Sequence, residues 1–354
     1  NNYRRHDYTP YLYQTKNFGK SWERLVDETM VFGHVLSFVQ DPVEPNLMFL
    51  GTETGLYVSI DGAKNWTLWG DDYPNVSTMD MVIHPREHDL VIGTFGRSVW
   101  ILDDIRPLRE IASKGADILN NDLQVYTPPE AFIVSRKGAP GYYSPGNAYY
   151  SGENRRSGAM ITFSVKEGEK QSNQTPSRNE GRRSMYGGFG NGPAGNPNAK
   201  KVKIEIVDES GAVIRTLSVV PKTGVNRTYW GLDKKGFRWP NQSAPRPGSS
   251  ERGGGGYAVP GTYTLKFSYE GATDSTLLTV KSDPRLEIDS DAILKNQEIL
   301  KPILKKVDLL AKAYDRIKES KETMATIKKI TPKKKDEKIK TLRDVTKEVE
   351  GAMK

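Results

Sequence analysis

The side chains that could perform catalysis or bind a metal are few in this sequence. It contains no cysteine and four histidines, which excludes thiol nucleophiles, cysteine-ligated zinc and iron–sulfur clusters. His84 and His88 have the spacing of a metal pair on a helix, but Pro85 argues against a helix there, and the sequence offers no third ligand. We predict that the chain binds no metal and no cofactor.

Two pairs of adjacent aspartates, at 71–72 and 103–104, are candidates for acid–base chemistry. Neighbouring residues on a strand point to opposite faces of the sheet, so neither pair is suited to act on one substrate. We interpret Asp71, Asp72, Asp103 and Asp104 as turn and capping residues. Nucleophile-elbow, phosphate-loop and dinucleotide-binding glycine motifs are absent, and no catalytic residue is predicted.

The net charge of +8 comes from the middle and the C-terminal end of the chain. Residues 1–107 carry 9 Lys and Arg against 15 Asp and Glu. In the basic C-terminal part, lysines alternate with acidic residues at helical spacing, which is typical of a solvated helix face. No nucleic-acid-binding motif accompanies them, so nucleic acid is not predicted as a partner. No apolar run approaches the ~18 residues of a membrane span.

An internal repeat covers the first hundred residues. The strands that it predicts would position any functional site in this part of the chain. Segments 11–22 and 55–66 match at a constant offset of 44 residues. Segments 41–52 and 84–94 also match, with one residue of slippage. A period of about 40–45 residues with four strand-like runs per unit is typical of β-propeller blades.

The repeated segment has the form Ser/Thr-x-Asp/Asn-x-Gly-x-Ser/Thr-Trp, in which a short polar side chain binds the backbone of a tight turn and an aromatic ring fills the space beneath it. It resembles the Asp-box, or BNR, repeat of sialidase-like and sortilin-like propellers. The matching residues are Thr15, Asn17, Gly19, Ser21 and Trp22 in the first copy, and Ser59, Asp61, Asn65 and Trp66 in the second. The resemblance implies a structural role. Ala63 stands where Gly is usual, which predicts a shift of the second turn onto Gly62.

Residues 90–105 resemble the closing strands of sortilin-type propellers of large bacterial envelope proteins. Residues 1–106 are therefore predicted to form the last two and a half blades of a propeller. A closed propeller needs at least four blades. Either another polypeptide supplies the rest, or the chain is the C-terminal part of a larger protein. The start Asn-Asn-Tyr-Arg-Arg, without Met, agrees with a mature or partial chain.

The middle of the chain is predicted to be a second β domain. Residues 107–130 are interpreted as a linker, and residues 131–284 as an immunoglobulin-like β-sandwich with a Gly/Asn-rich insertion at 167–200. Segments 207–215 and 259–265 resemble FlgD-like immunoglobulin modules. Trp230 is expected to anchor the core.

Residues 285–354 are predicted to form a helical tail. Apolar residues follow heptad spacing, with a positions at Leu300, Val307 and Tyr314 and d positions at Ile303, Leu310, Ile317 and Met324. A second helix is predicted to begin near Pro332. A helical hairpin that packs on the rest of the chain and a docking surface for a partner helix both fit this pattern.

The sequence thus predicts a mainly β protein with incomplete Asp-box propeller blades, an immunoglobulin-like sandwich and a C-terminal α-helical hairpin. The lack of any catalytic constellation favours a non-enzymatic scaffold that binds a protein partner, and the resemblance implies that it is secreted or lies in the cell envelope. An outer-membrane complex and carbohydrate stay open as binding partners. The alternative is a sialidase-like glycoside hydrolase whose active site lies mainly in missing blades, to which Tyr73 and Arg97 could contribute.

Overall fold

A computed structural model describes residues 2–70, 73–133, 155–168, 199–240, 242, 251, 253–285, 290–330 and 337–352. Within these ranges the chain is mainly β, with several sheets followed by C-terminal helices. The broad fold prediction is therefore confirmed.

The N-terminal part contains three antiparallel sheets in chain order. The first sheet has two strands, β1 (Tyr13–Gln14) and β2 (Glu23–Arg24). The second has four strands: β3 (Val35–Gln40), β4 (Met48–Thr52), β5 (Leu56–Ser59) and β6 (Thr67–Leu68). The third has three strands: β7 (Thr78–Ile83), β8 (Leu90–Thr94) and β9 (Val99–Leu102).

Each sheet packs on the next through apolar side chains. One core cluster, which includes Met48, Leu50 and Trp66, lies between the first and second sheets. A second cluster joins the second sheet, represented by Phe49, to residues of the third sheet such as Ile92. Because apolar residues on both faces of the second sheet are used, that sheet is the middle layer of a stack.

The second and third sheets repeat the same turn between their first two strands. In the second sheet the Asp41 carboxylate accepts hydrogen bonds from the backbone N–H groups of Val43 (2.8 Å) and Glu44 (2.7 Å). In the third sheet His84 Nδ1 accepts from Arg86 N (3.3 Å) and Glu87 N (3.1 Å). The sequence match between 41–52 and 84–94 thus corresponds to a shared turn structure.

Residues 107–130, predicted as a linker, contain packed structure. Helix α1 (Arg106–Lys114) begins with a proline in its first turn and ends at Gly115. Its buried Ala112 belongs to the cluster between the second and third sheets. After a 3-10 turn at Ala116–Asn120 comes β10 (Gln124–Val125), which pairs with a strand of the following domain.

Two further sheets form the next part of the chain. The first has the order β10, β12 (Ala159–Val165), β15 (Gly224–Trp230). The second has the order β11 (Ala131–Ile133), β17 (Ala272–Ser282), β16 (Gly261–Tyr269), β13 (Val202–Val207), β14 (Val213–Val219). The β11–β17 pair is parallel, and the other strand pairs are antiparallel.

These two sheets share one apolar core, so they form a two-sheet domain. Trp230 is fully buried in that core, as expected, and its indole N–H donates to the carbonyl of Asp233 (2.8 Å). Its ring meets that of Tyr263 edge-on, with 5.3 Å between centroids. Most of the Gly/Asn-rich insertion predicted at 167–200 lies outside the described residues.

The C-terminal helices are α2 (Ser290–Ile330) and α3 (Glu337–Ala352), which contact each other. Arg238 anchors α2 to the two-sheet domain. Its guanidinium pairs with the Asp315 carboxylate and donates to the carbonyl of Ala311 (3.2 Å). Lys234 Nζ also donates to Gln297 Oε1 (2.6 Å).

Candidate functional site

The first of the two repeated turns lies between β1 and β2 and is held by its own side chains. Thr15 Oγ1 accepts from Gly19 N (2.8 Å) and donates to Asn17 Oδ1 (3.1 Å). Asn17 Oδ1 also accepts from Ser21 N (2.9 Å), and Asn17 Nδ2 donates to Ser21 Oγ (2.8 Å). Gly19 has φ +84°, a conformation that favours glycine.

The second turn, between β5 and β6, has the same hydrogen bonds at equivalent positions. Ser59 Oγ donates to Asp61 Oδ1 (2.9 Å) and accepts from Ala63 N (3.0 Å). Asp61 accepts from Asn65 N (3.0 Å) and from Asn65 Nδ2 (2.7 Å). The predicted shift onto Gly62 is wrong, because Ala63 adopts φ +71° and donates from the position that Gly19 holds in the first copy.

The hydrogen bond between the third and seventh residues of the turn runs in opposite directions in the two copies. In the first turn the Asn17 amide donates to the Ser21 hydroxyl. In the second turn the Asp61 carboxylate accepts from the Asn65 amide. The departure of Asn17 from the usual Asp is therefore matched by a hydroxyl partner. The pKa of Asp61 is lowered, since the bonds from Asn65 and Ser59 outweigh the opposing effect of burial.

The tryptophans that end the two turns have different surroundings. Trp66 is 9% exposed and belongs to the core between the first and second sheets. Trp22 is 61% exposed, because the first sheet has only two strands and little packs beneath its turn. The polar side chains of Thr15, Asn17, Ser59 and Asp61 bind within their own turns, which agrees with a structural role, whereas the buried indole N–H of Trp66 has no hydrogen-bond partner among the described residues.

The histidines do not form a metal site. His84 Nδ1 accepts backbone N–H groups of its turn, and His88 Nδ1 lies 2.9 Å from Arg109 Nη1. No group of three metal-ligating side chains occurs in the described parts of the chain. Burial and the nearby Arg109 lower the pKa of His88.

Arg109 on α1 forms the most buried ion pair of the N-terminal part. Its Nε contacts both Asp41 oxygens (3.0 and 2.9 Å), and Nη2 contacts Oδ2 (2.8 Å). The Asp41 side chain is inaccessible to solvent. Since Asp41 also organises the β3–β4 turn, this pair locks α1 to the second sheet.

The carboxylates at 103–104 lie where the sheet stack meets the two-sheet domain. Asp104 is buried and pairs with Arg106. Arg227 donates to the carbonyls of Asp103 (2.7 Å) and Asp104 (3.0 Å). Burial raises the pKa of Asp103. Asp104 has φ +49° and accepts from the backbone N–H of Arg106 at the start of α1 (3.4 Å), whereas Asp71 and Asp72 lie outside the described residues.

The two residues proposed as contributors to a hydrolase site have structural partners. The Tyr73 hydroxyl lies 2.7 Å from Thr78 Oγ1, and its ring packs edge-on against Trp100. The carbonyl of Arg97 accepts the indole N–H of Trp100 (3.1 Å). The side chain of Tyr73 thus belongs to the framework of the third sheet, whereas Arg97 takes part in it through its main-chain carbonyl.

A feature that sequence reasoning missed is the apolar outer face of the third sheet. Paired strands align three residues on it: Val82 opposite Val91, and Val91 opposite Ile101. Val82 is 60% exposed and Ile101 59%. Val99, two residues before Ile101 on the same face, is exposed as well. We call this set the open face.

The second sheet shows what normally covers such a face. Its aligned residues at the same positions are Val39, Phe49 and Val58. All three pack in the core cluster against the third sheet, and Phe49 is fully buried. The repeat in the sequence relates the two sets of positions, but only the strand-pairing register brings each set onto one face. The open face is therefore a packing surface that no further sheet of the described chain covers.

β9 forms the edge of the third sheet in the described residues. The second sheet continues from β5 to β6, with Tyr57 paired to Leu68. The third sheet stops at β9, after which the chain turns into α1. An edge strand exposes backbone donors and acceptors that can pair with another strand. The open face and this edge form one continuous surface.

No protein-family model matches the chain, and no curated protein is significantly similar to it. Among the described helices, none is long and apolar enough to cross a bilayer. The candidate functional site consists of the open face and the adjoining edge strand β9.

Proposed function

We propose that this chain is a non-enzymatic protein-binding scaffold whose open face docks another β-sheet of the same repeat. The observation that carries the proposal is the contrast between equivalent positions. Phe49 and its neighbours are buried by the next sheet, whereas Val82 and Ile101 are exposed. Burying apolar area contributes about 25 cal/mol per Å², so covering these side chains favours association.

The propeller interpretation is supported by the two Asp-box turns, which share their hydrogen bonds, and by sheets stacked in chain order. The strand numbers of two, four and three fit a series of four-stranded blades in which the outer members are incomplete. In this proposal the docked sheet supplies a further blade, from the same polypeptide or from another one.

An immunoglobulin-like assignment of the two-sheet domain is supported by Tyr263. It lies near the start of β16, and its hydroxyl donates to the carbonyl of Val259 four residues upstream (2.7 Å). This is the arrangement of a tyrosine corner, which occurs in immunoglobulin-type sandwiches. The buried Trp230 against its ring provides the aromatic core. The resemblance to envelope proteins supports a secreted or cell-envelope location.

Site-specific photo-cross-linking from the open face tests the proposal. A photoreactive phenylalanine analogue at position 101 should cross-link, in cells that produce the protein, to a segment that contains an Asp-box repeat. The same analogue at Leu277, an exposed apolar residue of the two-sheet domain, is the matched control. Cross-links from 101 that are absent, or that equal those from 277, would overturn the docking role.

A glycosidase assay tests the competing enzymatic function. We expect no release of fluorophore from methylumbelliferyl sialosides or other glycosides, because the Tyr73 side chain is held by Thr78 and Trp100 in the third sheet. Asp103, whose raised pKa suits a general acid, is the residue to vary. Hydrolysis that is abolished in Asp103→Asn would establish an enzyme.

A further inference from the structure

Helix α2 carries an apolar stripe that the rest of the described chain leaves uncovered. Its members follow heptad a and d spacing and are exposed: Leu300, Ile303, Leu310, Tyr314 and Ile317. Leu310 is 61% exposed. Such a stripe is typical of a helix that packs against another helix over several turns.

Two other parts of the α2 surface have partners within the chain. The face with Gln297, Ala311 and Asp315 binds the two-sheet domain through Lys234 and Arg238. Near its C-terminal end α2 packs with α3, and Met324 and Thr346 are the buried residues there. Met324 is itself a d position. The exposed stripe is therefore the continuation of a helix–helix interface that the chain already uses.

The charges beside the stripe indicate what kind of helix would cover it. From 299 to 320 the e and g positions include Lys306 and Lys318 and no acidic residue, and Lys321 occupies an a position. Lys318 also lies 4.0 Å from Glu322 in an exposed ion pair on the same helix, which leaves Lys306 as the stronger attraction for an acidic partner. In a parallel pair of identical helices Lys321 would meet its own copy, which opposes self-association. Acidic side chains opposite these lysines would instead favour binding.

We propose that the stripe from Leu300 to Ile317 binds an acidic amphipathic helix, which extends the α2–α3 interface toward the N-terminal end of α2. This inference rests on α2 alone and does not depend on the open face of the third sheet. Its partner is a protein segment with apolar a and d positions and with Asp or Glu at e and g.

The test uses the full chain and two synthetic peptides of four heptads, each with Ile at a and Leu at d. One peptide has Glu at e and g, and the other has Lys. We expect the acidic peptide to bind in fluorescence anisotropy, more weakly as salt rises, and the basic peptide not to bind. Exchanging Lys306→Glu and Lys318→Glu together should reverse this preference.

A matched pair of variants separates stripe binding from general stickiness. Leu310→Ser should weaken binding of the acidic peptide by about tenfold or more, because a buried leucine is lost from the interface. Leu309→Ser, at a neighbouring leucine that is 65% exposed but lies off the stripe, should change it less than about twofold.

Three results would overturn the inference. They are equal binding of both peptides, binding of neither peptide, and sedimentation of the free chain as a dimer that Leu310→Ser dissociates. The last result would make a second copy the occupant. Unchanged circular dichroism of both leucine variants would show that α2 remains helical.

Discussion

Replacing Arg109 with methionine is expected to destabilise the sheet stack by several kcal/mol. The guanidinium contacts both oxygens of Asp41 at 2.8 to 3.0 Å, and the Asp41 side chain is fully buried. In Arg109→Met the carboxylate keeps only the backbone donors of Val43 and Glu44 among these partners. Methionine preserves most of the side-chain volume, so the change removes charge rather than packing.

The magnitude follows from the cost of an unpaired buried charge. Removing one partner of a buried ion pair typically costs about 3–5 kcal/mol. In the double variant Asp41→Asn/Arg109→Met no charge is left unpaired, so part of the loss should return. The double variant should therefore be more stable than Arg109→Met, a non-additive result expected of directly contacting groups.

Urea unfolding at neutral pH measures the effect, and hydrogen exchange localises it. Amides of β3–β9 should exchange roughly a hundredfold to a few thousandfold faster in Arg109→Met, as about 3–5 kcal/mol requires, whereas those of β12–β17 should change little. Lys114→Met is the control on the same helix, because its exposed ion pair with Glu110 contributes at most about 0.5 kcal/mol. A loss below about 1 kcal/mol in Arg109→Met, or one equal to that of Lys114→Met, would refute the reasoning.

Three further predictions concern the turns and the packing. Asp61→Asn should cost about 1 kcal/mol in urea unfolding. It should also reduce the stability that the protein loses below about pH 4, because an aspartate whose pKa is lowered in the folded state stabilises that state only above its unfolded pKa. Adding Asn65→Ser recreates the residue pair of the first turn and should restore stability, and no recovery would contradict the shared turn design. Burial raises the pKa of Tyr263 to about 12, so the stability that the neutral hydroxyl contributes should be lost as pH rises from about 10 to about 12. In Tyr263→Phe the free energy of unfolding should therefore fall less steeply with pH over this range. An unchanged pH dependence would refute this. Gly51→Ala should cost about 2 kcal/mol or more, because the new Cβ would lie 2.2 Å from the Ser37 hydroxyl and 2.6 Å from the carbonyl of Thr78 in the third sheet. Gly70→Ala, which has open space around it, should leave the free energy of unfolding unchanged. Equal effects of the two substitutions would disprove the close contact at Gly51.

The repeat in the sequence predicted local structure well. The offset between Thr15 and Ser59 identified two turns with the same hydrogen bonds, because short polar side chains at fixed spacing determine such turns. The prediction failed at Ala63, where intact side-chain bonds hold an alanine in a left-handed conformation. The expectation of glycine at this position considers only backbone freedom and leaves out the side-chain hydrogen bonds that hold the turn.

Long-range contacts were beyond the sequence pattern. Residues 107–130 resemble a linker by composition, yet Arg109 pairs with a carboxylate 68 positions earlier, and only the folded chain brings the two together. The heptads of α2 were visible in the sequence, but their exposure depends on which other faces the two-sheet domain and α3 occupy. The open face was likewise visible only once strand pairing aligned Val82 with Ile101.

Cysteine labelling at the open face tests the docking role most directly, since the chain has no native cysteine. In the purified chain Ile101→Cys should react with a maleimide about as fast as Leu277→Cys, and Val58→Cys should react slowly. In cells that produce the protein at its natural level, we predict that position 101 becomes at least about tenfold slower while position 277 does not. If position 101 reacts there as fast as position 277, the open face is not covered, and the proposed function is wrong.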